Sequence, residues 1–182
     1  MSGYECVIDL ETLGLRNTSV IVSVGAALVR AGGEEGITAS GYWNLSDTID
    51  EQIRLGRTID QGTLSWWMGQ NVKVREVFAA GDGRSVKDTM KAIASWMSEF
   101  PINGVWGYGS DFDNSLLRSL FDAADVSCPW RYTKSRCYRT LKAMYPGVPY
   151  EKPELAHNAL QDARAEAIHL QRILNEVIAC PA

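Results

Sequence analysis

A chain of 182 residues, 46% hydrophobic and 22% charged, has ordinary globular usage, which excludes disordered, collagenous and coiled-coil chains and predicts one domain over residues 1–182. A net charge of −4 with a pI near 5.2 excludes a broad basic face that grips duplex nucleic acid, though not a small site where cations supply positive charge. The apolar run 20–29 is too short to span a bilayer, MSGYEC carries no secretory pattern, and Cys6, Cys128, Cys137 and Cys180 form no CxxC pair, so a reduced, soluble, cytoplasmic protein is expected.

Three strands are predicted first, over residues 5–10, 20–29 and 37–44, with AGGEEG (31–36) as a turn. Their short connections imply an antiparallel meander. Residues 85–100 place Val86, Met90, Ile93, Met97 and Phe100 at helical spacing behind Ser85 and Asp88, which stand at capping-box spacing. GVWGYG (104–109) reads as a buried strand, parallel to its neighbour after the helical crossover, and leads into a helix over 113–124. A short strand is expected over 130–133 and a helix over 136–144. A proline-rich stretch (146–154) precedes the last helix, whose apolar stripe is Leu160, Ala163, Ala167, Leu170, Leu174 and Val177. His169 lies off that stripe and reads as outward-facing.

Acidic residues recur where apolar elements begin or end. Asp9 and Glu11 close the first strand. Side chains two apart share a strand face, with Cα atoms roughly 6.5 Å apart, so two like charges are held together unless a cation lies between them. Asp113 follows the strand GVWGYG, and Asp162 opens the last helix with His157 just before it. Four carboxylates converging on one cleft suit a pair of Mg²⁺ or Mn²⁺ ions, which take oxygen ligands and serve phosphodiester cleavage. An imidazole beside them has the pKa to accept a proton from water near neutral pH. Singly, each residue has an ordinary explanation: strand-edge polarity for Asp9 and Glu11, a helix N-terminal charge for Asp113 and Asp162, surface polarity for His157. Their order and matching contexts carry the inference.

DLETLGL (9–15), FDNSLL (112–117) and HNALQD (157–162) resemble the three motifs of the DEDDh 3′-to-5′ exonucleases of the DnaQ-like, ribonuclease H-like superfamily, and RCYRTL (136–141) with the Trp66 and Trp67 pair resembles its phage and bacterial branch. The resemblance implies an α/β, ribonuclease H-like fold: a five-stranded mixed sheet, three strands antiparallel and two parallel, flanked by helices, with the first strand central. It implies that Asp9, Glu11, Asp113 and Asp162 hold two Mg²⁺ (or Mn²⁺), that His157 is the general base, and that the product is a nucleoside 5′-monophosphate. Leu10, Thr12 and Leu13 match positions that cradle the terminal nucleotide, with Phe112 as an apolar wall. Gly109 stands where many relatives carry Asn. Trp66, Trp67, Tyr108, Arg136 and Arg139 are candidates for stacking on bases or touching phosphates, and at least one of the tryptophans is expected in the core.

The expected function is metal-dependent 3′-to-5′ trimming of single-stranded DNA or RNA, or of 3′ overhangs. Related enzymes often dimerise, so a homodimer is one partner state open to the chain, the sequence itself leaving oligomeric state open, and no membrane is implied. Two other readings stand beside it: a catalytically silent subunit binding 3′ ends, and a phosphodiesterase limited to very short oligonucleotides. The sequence does not choose between RNA and DNA.

Overall fold

β1 (Tyr4–Thr12) is buried on both faces over most of its length, as befits a strand with neighbours on either side and helices above and below. In the computed structural model, which describes residues 3–79 and 81–179, it is central in a five-stranded sheet of order β3-β2-β1-β4-β5. β2 (Ile21–Val29) and β3 (Ala39–Asn44) pair antiparallel on one side of it, and β4 (Ile102–Gly107) and β5 (Ser135–Cys137) pair parallel on the other. This is the mixed sheet expected from the sequence.

The period of two along β1 assigns its faces. Cys6, Ile8 and Leu10 enter the main core with Val86, Met90, Ile93 and Met97 of α4 (Val86–Ser98) and with Leu116, Leu117, Leu120 and Phe121 of α5 (Ser115–Ala123). Half of the expected capping box forms at the start of α4: Asp88 N–H donates to Ser85 Oγ at 3.1 Å, while the Asp88 carboxylate accepts from the Ser85 hydroxyl itself at 2.8 Å. Val7, on the opposite face, packs with Ala27, Val29, Tyr138 of α6 (Tyr138–Met144) and Ala163, Ala167 and Leu170 of α7 (Ala159–Ala179). Among the described residues no helix is long and apolar enough to cross a membrane.

Four features depart from expectation. Residues 46–78 hold three short helices the sequence reading lacks: α1 (Ile49–Arg54), α2 (Gln61–Met68) and α3 (Val72–Arg75). Asp60 and Asn71 cap the second and third, accepting from Thr63 N–H at 2.8 Å and Val74 N–H at 3.0 Å. The last strand is Ser135–Cys137 rather than 130–133, because Trp130 turns into the main core against Phe121 and 132–134 form a single helical turn. Val177 is 43% exposed, since the end of α7 outruns the sheet, while His169 is buried, bonded to Tyr138 Oη at 2.7 Å through Nδ1 and to the Val148 carbonyl at 3.0 Å through Nε2. Cys6, Cys128 and Cys137 are free thiols; Cys180 lies outside the described residues.

Candidate active site

Asp9 and Glu11 project from the Val7 face of β1, beneath the start of α7. Register places Gly25 of β2 opposite Asp9. A Cβ at position 25 would come within 2.5 Å of Leu160 N and closer to the Ala159 carbonyl, so the bare backbone at Gly25 is what lets the first turn of α7 press onto the sheet. A register shift between Glu11 and Thr12 ends regular pairing beside the site, where bulges commonly re-aim side chains.

Asn158 caps α7, its Oδ1 accepting from Gln161 N–H at 3.1 Å, and its own N–H donates to Asp162 Oδ2 at 3.0 Å. That bond turns Asp162 back toward β1. Asp9, Glu11 and Asp162 each bring one carboxylate oxygen within 4.8 Å of the others. Asp113 arrives from β4 through a wide π-helical turn, Ser110–Asn114, a geometry frequent at functional sites. It is buried and accepts from Gly109 N–H at 3.2 Å, and a Cβ at Gly107 would lie 2.7 Å from its Cβ. Gly109 thus serves Asp113 through its backbone, and a Cβ there would lie 2.9 Å from the exposed Asp111 carboxylate.

Every carboxyl in this group is pushed up. Burial is the main cause for Glu11, raised to about 8, with Asp162 and Asp113 as like-charge neighbours. Burial also raises Asp113 to about 7 against the backbone N–H groups that lower it. Asp9, half-buried, is pushed well above the usual carboxylate range by desolvation and by the like charges of Glu166, Asp113, Glu11 and Asp162, in that order. Asp162 is raised by burial, offset in part by the Asn158 and His157 backbone N–H groups and the His157 charge. Such a set is out of balance without positive charge. All its donors are oxygen, which is the set a hard divalent cation takes, so these residues fit the ions that the resemblance implies.

His157 is exposed at the edge of the group and has a left-handed backbone, φ 63°, uncommon for a side chain of its size. Its ring stands edge-on to Trp66, centroids 4.8 Å apart. Two clefts flank the carboxylates. One, of about 460 Å³, is lined by Leu10, Glu11, Thr12, Leu15, Trp66 and Phe112 among others. The second, of about 420 Å³, is lined by Asp9, Tyr108, Asp113 and Arg139 and shares Leu10, Leu15 and Phe112 with the first.

The structure therefore brings together Asp9, Glu11, Asp113, Asp162 and His157, with Leu10, Thr12 and Phe112 on the cleft walls. It does not bring in three others as side chains open to a ligand. Leu13 is 2% exposed and packs with Val20, Val22 and Trp67. Trp67 is 1% exposed, and its indole N–H donates to the Thr12 carbonyl at 2.9 Å, so it braces the cleft from behind while Trp66 faces it. Arg136 stands beside Trp106 on the edge strand, with Glu5 rather than the site carboxyls as its charge neighbour, and donates to the Thr133 carbonyl at 2.6 Å. Leu15, 80% exposed on both cleft walls, and Glu166, buried on α7, were not singled out from the sequence. Glu166 follows Asp162 by four residues, so helical spacing alone would have flagged it.

A sheet of this topology whose central strand ends in paired carboxylates is the frame of the ribonuclease H-like fold, the fold that E. coli exonuclease I shares. The sequence profile of the 3′-5′ exoribonuclease Rv2179c-like domain matches residues 4–174, and the chain belongs to that family. No curated protein sequence matches it. Among solved structures, E. coli exonuclease I in complex with a dT13 oligonucleotide is similar at a TM-score of 0.64 and 15% identity, over 93% of this chain and 40% of that one. The zinc-bound form of the E. coli exonuclease I complex with single-stranded DNA gives a TM-score of 0.65 at 13% identity, over 98% and 43%. At those identities the likeness is one of fold, and the chain spans less than half the length of these proteins.

Proposed function

We propose that the chain is a divalent-cation-dependent exonuclease that removes nucleoside 5′-monophosphates from the 3′ ends of single-stranded nucleic acid or 3′ overhangs. The observation that carries it is the convergence of Asp9, Glu11 and Asp162 oxygens within 4.8 Å beside a buried Asp113 and an exposed His157. Asp9, Glu11 and Asp162 would hold one Mg²⁺ or Mn²⁺, and Asp9 with Asp113 a second. When bound, the ions supply positive charge to the scissile phosphate and make nearby water more acidic.

The chain's own residues supply the rest. His157, at a ring nitrogen, accepts the proton of the attacking water. The water oxygen bonds to phosphorus and the P–O3′ bond breaks, the 3′ oxygen leaving with the bonding pair and taking a proton from solvent, so the released nucleotide keeps its 5′-phosphate and the shortened strand gains a 3′-hydroxyl. The cleft bounded by Leu10, Thr12, Phe112 and Trp66 receives the terminal nucleoside, with Trp66 offering a ring to the base. The neighbouring cleft receives the preceding nucleotide, where Arg139, 57% exposed beside Asp111, meets phosphate. The family's description names an exoribonuclease and the E. coli exonuclease I structures hold DNA, so both sugars belong in the assay.

The test is hydrolysis of matched 5′-labelled single-stranded RNA and DNA, two to twenty nucleotides long, with Mg²⁺, Mn²⁺ or EDTA, beside Asp9→Ala and His157→Ala. A metal-dependent ladder shortening from the 3′ end and lost in both variants is expected, and the faster sugar names the substrate. Cleavage confined to the shortest chains would replace trimming with oligonucleotide clearance. Tight 3′-end binding without cleavage in any metal would leave a silent end-binding subunit.

A further inference from the structure

Along the face of α7 that packs on the sheet through Ala163, Ala167 and Leu170 stands a buried acid, Glu166. It is 5% exposed, and its Oε2 has no hydrogen-bond partner among the described residues. Buried carboxyls are normally paired or bonded, because desolvation strongly penalises an unmatched one. The nearby cation does not do this. Lys142 stands over the Tyr150 ring, 3.7 Å from its centroid, with the Tyr108 and Tyr138 rings beyond. Glu166 instead lies one helical turn past Asp162 on the same face, and the charges that act on it are those of Asp113, Asp162 and Lys142.

We propose that Glu166 is a fifth carboxylate of the cation site, its unpartnered Oε2 contributing from α7 to the binding of a divalent ion held by Asp9 and Asp113. The inference rests on the cation-dependent reading above and deepens it. Four carboxylates shared between two six-coordinate ions leave most positions to water and substrate. A fifth, fixed on a helix under the sheet, raises affinity before any phosphate arrives. An alternative role, a neutral buried acid that only fills space, requires no effect on ion binding.

Those roles separate by titrating Mn²⁺ into the metal-free, full-length protein without nucleic acid, followed by calorimetry or the loss of the free-ion EPR signal, for wild type, Glu166→Gln and Glu166→Asp. Gln keeps the shape and removes the charge; Asp keeps the charge and withdraws it. Expected is about a 10-fold loss of Mn²⁺ affinity in E166Q, the low end for supporting ligands of metal sites, with E166D between the two. In EDTA, E166Q melts above wild type, and Mn²⁺ raises its melting temperature less. Wild-type affinity and an unchanged Mn²⁺-induced rise in E166Q would overturn the proposal and leave the exonuclease reading intact. If E166Q does not fold, E166D decides: Mn²⁺ affinity equal to wild type overturns the proposal, and weaker binding by a folded E166D supports it. A wild-type protein that takes up no Mn²⁺ would overturn both.

Discussion

Replacing Gly25 with Ala adds one methyl group far from any reacting atom and should disable the site. The new Cβ would stand 2.5 Å from Leu160 N and nearer to the Ala159 carbonyl, where 3.4–4 Å is ordinary contact. Neither β2, buried at every position, nor the helix backbone has a flexible side chain to give way. The first turn of α7 must then retreat by about 1 Å, and a misplacement of that size costs on the order of 10²-fold in rate. Asp162 travels with the turn while Asp9 and Glu11 stay on the sheet, which opens the 4.8 Å grouping. Overpacking should also cost about 1–3 kcal/mol, and each kcal/mol lowers Tm by roughly 2–4 °C in a chain of this size. The assay is kcat/KM on a 5′-labelled oligomer with a parallel melt, and Gly147→Ala is the control, since nothing lies within 4 Å of a Cβ there. A Gly25→Ala enzyme with kcat/KM within about three-fold of wild type would show that this backbone contact does not set the carboxylate geometry, and would refute the reasoning.

The carboxyls of the site are raised in the folded chain, so that state binds more protons than the unfolded one, and stability without metal falls as pH rises from about 4 toward the Glu11 value of about 8. Melts in EDTA should show that decline and saturating Mg²⁺ should flatten it; parallel curves would remove cations from the account. Trp66→Ala should raise KM by about 10-fold, within the 1–3 kcal/mol of a base-stacking contact, with little change in Tm. Trp67→Ala should instead cost about 3–5 kcal/mol of stability, read in a urea or thermal melt, and a reversal of the pair would invert the two assignments. Arg136→Ala should leave kcat/KM within about two-fold of wild type, as expected of a surface position; a larger loss would place substrate along the edge strand.

Most of the sheet was legible because its strands carry their own signals: β-formers in β1 and β2, glycine borders around β4, and a strict helical stripe in α4. The carboxylates were legible for the opposite reason, as charges in places where burial forbids them. Residues 46–78 were not, because helices of four to eight residues are too short to show a period and are fixed by caps such as Asp60 and by packing around Trp67. β5, three residues long, has no hydrophobic run and exists by pairing with Val105–Gly107, a partner the sequence does not display. His169 and Glu166 were passed over because polar residues on a buried helix face are unmasked only by what packs on them, Tyr138 and Val148 for one and the site carboxyls for the other.

The cap at Asn158 has a thermal consequence. His157, Asp162 and Glu166 all depend on how the first turns of α7 seat; Ala159 and Ala163 bury that end, but as small side chains beside the like charges of the site, whereas the later turns bury the larger Leu170 and Ile173. Fraying begins at weakly held ends. On warming at sub-saturating cation the enzyme should therefore fall silent while its sheet and main core are still intact, and cooling should restore it without refolding.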